Sequence, residues 1–180
     1  MKTLIAYGTK YGSVAKCARL LREELRGETD LADLMEGPPP DCAPYDGVIL
    51  GGSIYAGRVQ KEVRAYSRAN EKALLGKRLG LFLCAGAEGE RGRRYLRSVF
   101  PPALYERAHC RDVFGHEVYY EKMNFFEKIL MRILSGEKKS CSRLNLEAIR
   151  VFAEAFGRTE GLPGGPEKMP SPTPPAARRA

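Results

Sequence analysis

The sequence has no tryptophan, only two histidines, and five cysteines without a single C-x-x-C spacing. The cysteines (Cys17, Cys42, Cys84, Cys110 and Cys141) are odd in number and scattered, which reads as reduced thiols rather than a disulfide framework. With only His109 and His116 available to join them, no metal site is expected. No apolar run approaches the roughly 20 residues that a membrane-spanning helix needs. The chain enters an apolar run at Thr3, which leaves no room for a signal peptide, so a cytoplasmic protein is expected. Two phosphate-binding fingerprints are also missing. Gly8 and Gly12 are four apart, which rules out G-x-G-x-x-G, and no G-K-[ST] follows Gly12.

What is present is ordinary in amount and unusual in charge. The 180 residues are 43% hydrophobic, enough for one domain with a proper core. The net charge of +8 points to acidic partners, anionic lipid or nucleic acid. No basic run interleaved with aromatics falls on a recognisable nucleic-acid motif, so no nucleic-acid partner is expected.

The chain is organised around residues 3–18. Thr3-Leu4-Ile5-Ala6-Tyr7 reads as a buried strand that Gly8 stops. Behind the loop Gly8-Thr9-Lys10-Tyr11-Gly12-Ser13, the helical spacing of Val14, Cys17, Ala18, Leu21 and Leu25 starts a helix that ends near Arg26-Gly27. Ser13 is its expected N-cap. Loop amides and first-turn amides without internal partners point at an anion that the helix dipole also favours. Thr9 and Ser13 add hydroxyls and Lys10 a charge. The same pattern also describes an ordinary strand-to-helix turn with a capping serine.

Further strands are expected over 29–34 (an edge strand, from its poor alternation), 48–50, 78–84 and 111–118. Helices are expected over 59–73, through Tyr95, Val99 and Phe100, and over 146–156. Strands alternating with helices predict a parallel sheet with helices on both faces. Glycine-rich stretches at 8–13, 51–57 and 85–89 follow the first, third and fourth strands. Ligands of such sheets sit outside the carboxyl ends of the strands, where the strand order reverses. A receiver domain is excluded because Ala6-Tyr7-Gly8 carries no acidic cluster. A low-molecular-weight phosphatase is excluded because the first loop has no cysteine.

Thr9-Lys10-Tyr11-Gly12-Ser13-Val14 resembles the flavodoxin phosphate loop, with Val14 in place of the family's usual threonine. The resemblance implies a flavodoxin-like α/β three-layer sandwich with five parallel strands in the order 2-1-3-4-5, and FMN as cofactor. It assigns the phosphate to Thr9, Lys10, Tyr11, Gly12, Ser13 and Val14. It assigns the ring to Ser53, Ile54, Tyr55, Ala56 and Gly57 on one side and Ala85, Gly86, Ala87, Glu88 and Gly89 on the other. Gly51, Gly52 and Gly57 are expected to let backbone approach the flavin. Tyr55 reads either as a stacking ring or as a half-exposed loop aromatic, and stacking on tryptophan is unavailable. Cys84 reads as a small buried hydrophobe. No acid/base pair shows diagnostic spacing, so no catalytic residue is assigned; bound flavin carries the chemistry.

A second informative stretch is the insert after the fifth strand. Phe126, Ile129, Leu130, Ile133 and Leu134 form one helical stripe, flanked by Lys128, Arg132, Lys138 and Lys139. Burying such side chains is worth roughly 1.5–3 kcal/mol each, so the stripe must meet something apolar. It reads as a core helix on the sheet, a partner groove or an interfacial helix over 118–134. Val113-Phe114-Gly115, Tyr119-Tyr120, Phe125-Phe126-Glu127-Lys128 and the segment from Gly52 to Lys61 resemble the menaquinone-dependent protoporphyrinogen dehydrogenases and their flavodoxin-like relatives. That resemblance covers about residues 1–157. It implies an FMN oxidoreductase, peripheral on the inner face of the cell membrane, that passes electrons to a quinone. The alternative is a soluble electron carrier whose insert docks a redox partner protein. The flavodoxin-like domain is expected over 1–160, and the Pro/Gly-rich residues 161–180 as a disordered tail.

Overall fold

The computed structural model describes residues 1–54, 57–87, 89–118 and 141–158. In chain order the elements are β1 (Thr3–Tyr7), α1 (Ser13–Glu24), β2 (Thr29–Asp33), β3 (Gly47–Ser53), α2 (Lys61–Ala69), α3 (Glu71–Leu75), β4 (Arg78–Cys84), α4 (Gly89–Val99), α5 (Pro102–Arg107), β5 (Cys110–Val113), β6 (Gly115–Val118), β7 (Cys141–Leu144) and α6 (Leu146–Gly157). The main sheet runs β2-β1-β3-β4-β5, every pair parallel, in the expected order.

The short apolar runs form strands because both of their faces are covered. Leu4, Ala6, Val48, Leu50, Leu81 and Leu83 face the layer of α2, α3, α4 and α5. Ile5, Tyr7, Ile49, Phe82 and Cys84 face α1 and α6. The result is a three-layer α/β/α sandwich. On the α1/α6 face Phe82 and Phe114 stack with centroids 4.8 Å apart, and Phe152 from α6 meets Phe114 edge-on at 5.2 Å. β2 is an edge strand, as expected, and all five of its residues are half-buried.

Four details differ from the sequence expectations. The helix expected over 59–73 is two, divided at Asn70, whose Nδ2 and backbone N–H both donate to the Tyr66 carbonyl. An asparagine that competes for backbone acceptors in this way ends a helix. α1 stops at Glu24, short of Arg26-Gly27. The strand expected over 111–118 is also two. Phe114 is drawn into the ring cluster, and Gly115, at φ +79°, turns the chain out of the sheet. β6 then pairs antiparallel with β7, a strand that its short polar sequence did not announce. Tyr55, Ala56, Glu88, the insert from residue 119 to 134 and the tail over 161–180 lie outside the described residues.

Candidate functional site

The register sets the site. Tyr7 aligns with Gly51 across β1 and β3, and Ser53 with Cys84 across β3 and β4. The loops that follow therefore leave the same edge of the sheet side by side. The Gly8 N–H donates to the Gly51 carbonyl at 3.1 Å, and the Ile54 N–H to the Cys84 carbonyl at 2.9 Å.

In the first loop the Thr9 hydroxyl accepts from the Gly12 N–H at 3.0 Å, folding Thr9–Gly12 into a tight turn. The N-cap of α1 is Gly12, not Ser13. Gly12 sits at φ +102°, a conformation open to glycine, and Ser13 is already helical. Among the described residues no side chain caps α1. Its first-turn amides are thus left to a ligand or to water. Ser13 is buried at 7% exposure, and Val14, fully buried, packs with Ile5 and Cys17. Val14 can offer only its backbone amide. The Lys10 ammonium lies 5.3 Å from the centroid of the Tyr11 ring. A cleft beside this loop, toward β2, is lined among others by Tyr7, Thr9, Tyr11, Arg19 and Asp33. Burial raises the Asp33 carboxyl and the Tyr7 phenol above their ordinary values.

In the second loop the expected reason for the glycines is corrected. A Cβ on Gly51 would lie 2.2 Å from Phe82 Cζ, and one on Gly52 would lie 2.6 Å from Val59 Cγ2. These glycines are required by the protein's own packing, not by a ligand. Gly57, at φ +76°, has no described residue within 4 Å of where a Cβ would stand. Gln60 organises this loop, a role that no sequence signal marked. Its Oε1 accepts from the Ser53 N–H at 3.1 Å and its Nε2 donates to Ser53 Oγ at 2.8 Å.

The third loop carries no aromatic: Ala85 and Ala87 are buried and Gly86 is exposed. The His116 ring of β6 lies against Gly86, 3.4 Å from where a Cβ would stand. The Ala85 N–H donates to the Gly115 carbonyl at 2.7 Å, fixing the hairpin to this loop. The Glu117 side chain, 3% exposed, accepts from Lys16 Nζ at 2.7 Å and from Ser142 Oγ at 2.5 Å, which ties α1 to the hairpin. Sequence reasoning passed over His116 and Glu117 because it placed both in the sheet. Gly89 opens α4, and there Glu90 pairs with Arg93. Cys84 is buried, as expected. Among the described residues no cluster of His, Cys, Asp and Glu could hold a metal.

The family model of the flavodoxin domain matches residues 4–144, and the chain belongs to that family. Over 175 residues it is 24% identical to the protoporphyrinogen IX dehydrogenase [quinone] of Leishmania major, covering 86% of this chain and 74% of that protein. Flavodoxin 1 of Bacillus cereus superimposes with a TM-score of 0.58 at 17% identity, over 89% of this chain and all of that one. Flavodoxin 2 of the same organism gives 0.51 at 21% identity, over 87% and 97%.

FMN is the group that this family implies, and the residues present fit it. The twelve-residue helix behind a left-handed glycine has first-turn amides that suit a phosphate. The adjoining end of the sheet, where β3 and β4 stop, carries the small residues Gly52, Ser53, Cys84, Ala85 and Gly86.

Proposed function

We propose that the protein is an FMN-dependent oxidoreductase of the protoporphyrinogen-dehydrogenase type, with a quinone as electron acceptor. The observation that carries the redox reading is the register that brings the three loops to one edge of the sheet. The similarity to the Leishmania major enzyme supports the substrate and the acceptor. The backbone amides of Ser13 and Val14 would hold the phosphate, with Thr9, Lys10, Tyr11 and Gly12 forming the turn around it. Ser53, Ile54, Tyr55, Ala56 and Gly57 would line one side of the ring, and Ala85, Gly86, Ala87, Glu88 and Gly89 the other. FMN, when bound, supplies a ring that accepts and returns electrons. The chain's part is to orient that ring: Gln60 sets Ser53, and the hairpin braces the third loop through Gly115. The apolar stripe within 118–134 would meet a lipid-soluble acceptor or an anionic membrane surface.

The test is anaerobic turnover of the FMN-loaded protein with protoporphyrinogen and a menaquinone analogue, read by porphyrin fluorescence. Porphyrin that forms only with FMN and quinone together is the expected result. Bound FMN that cycles with a chemical reductant but leaves the porphyrinogen unchanged would overturn this reading in favour of an electron carrier for a redox partner protein.

A further inference from the structure

Cys17 and Cys84 are brought together from positions 67 residues apart, with their sulfurs 3.5 Å from each other. Both are buried, Cys17 at 0% and Cys84 at 2% exposure. Among the described residues, no other two cysteine sulfurs are recorded in contact. Cys17 lies in the second turn of α1, the helix whose N-terminus closes the first loop, and Cys84 is the last residue of β4, before the third loop. A disulfide needs its sulfurs about 2.05 Å apart, so closure requires roughly 1.5 Å of approach, within reach of side-chain rotation and a small shift of α1. A single buried cysteine is ordinary core packing. Two that meet sulfur to sulfur across a helix and a central strand are placed for a bond.

We propose that Cys17 and Cys84 are a covalent modification site: under hydrogen peroxide they form a reversible disulfide that staples α1 to β4 beneath the first and third loops. One sulfur displaces hydroxide from peroxide and becomes a sulfenic acid. The other attacks that sulfur and releases water. Overall, two thiols and one peroxide give one disulfide and two waters, with two electrons passing from the sulfurs to the O–O bond. Peroxide is the oxidant because it is scarcely larger than water, whereas glutathione disulfide cannot reach a buried pair. The hydrogen bond to Cys17, and then burial, hold the Cys84 thiol above the usual thiol range, so the reaction is slow and the pair is no general exchange catalyst. The inference does not depend on the proposed substrate or on FMN.

The experiment takes the whole 180-residue chain, reduced and freed of reductant, and exposes it to hydrogen peroxide under native conditions. Denaturing alkylation and peptide mass spectrometry follow. The expected result is loss of two of the five alkylatable cysteines, a peptide linking Cys17 to Cys84, and return of both thiols with dithiothreitol. Cys17→Ser and Cys17→Ala each abolish the linked peptide, and Cys42→Ser leaves it in place. Five alkylatable thiols after treatment, sulfinic acid without a link, or a link to another cysteine would each overturn the proposal.

Discussion

Lys16 and Glu117 form an ion pair at 2.7 Å that joins the first helix to the hairpin, and its two members differ sharply in burial: 44% of the Lys16 side chain is exposed but only 3% of Glu117. The pair is therefore unequal under mutation. Lys16→Met withdraws the ammonium from a buried carboxylate, which costs about 2–4 kcal/mol. Glu117→Gln keeps the shape and leaves a half-exposed lysine that water can solvate, at about 1 kcal/mol. Urea unfolding at neutral pH compares the two. A larger loss for Glu117→Gln would mean that the carboxylate is not anchored as described.

Gly51 marks where two β-strands and an aromatic ring share one space. A Cβ there would stand 2.2 Å from Phe82 Cζ and 2.4 Å from Cε1. Gly51→Ala should destabilise by about 3 kcal/mol, because a ring stacked on Phe114 and edged by Phe152 has nowhere to move. In a Phe82→Leu background the same substitution should cost less than half as much, which a double-mutant cycle reads directly.

The two substitutions also show what the sequence could reveal. The parallel sheet and its two helical layers were legible because Val48-Ile49-Leu50 and Leu81-Phe82-Leu83 are uninterrupted apolar runs that suit a doubly covered sheet, whereas the strand order came from the resemblance to flavodoxins. The first loop was legible because glycines and hydroxyls at fixed spacing have a local meaning. Gly51 misled: a glycine forced by a neighbouring ring looks, in sequence, like a glycine cleared for a ligand. The hairpin was invisible because the break at Phe114-Gly115 depends on Phe152, some 40 residues away in the chain, drawing Phe114 into the core. Gln60 and Glu117 act through partners far from them in sequence or across a loop, and neither carries a periodic signal.

The Thr9 hydroxyl holds the Gly12 amide at 3.0 Å and so shapes the turn that precedes α1. Thr9→Val should weaken FMN binding about tenfold, equivalent to roughly 1.4 kcal/mol, the net worth of one hydrogen bond. Thr9→Ser should restore it. Riboflavin has the same ring and no phosphate, so its affinity should be nearly unchanged by Thr9→Val. Titration by quenching of flavin fluorescence measures both. Equal losses for FMN and riboflavin would place Thr9 away from the phosphate.

His109 links β4 to the turn before β5 by a reciprocal pair of bonds: its backbone N–H donates to the Leu79 carbonyl at 2.7 Å, and its Nδ1 accepts from the Leu79 N–H at 3.2 Å. Burial, followed by the charges of Arg78 and Arg107, lowers its pKa below the ordinary value of 6.5. The unfolded chain therefore binds this proton more readily than the folded one. The contribution of His109 to stability is complete above pH 6.5 and falls as the pH drops from there through the lowered folded value. Asp33 and Asp112 act in the opposite sense. Burial raises both, so they favour the fold in acid, and that contribution is lost as the pH rises from 3.8 through their folded values. His109→Asn separates the two effects, since its Oδ1 can still accept from Leu79 while its proton is gone. Unfolding free energies measured from pH 7.5 down to pH 5 should show the wild type losing stability relative to His109→Asn. Parallel curves for the two proteins would mean that His109 does not titrate across folding.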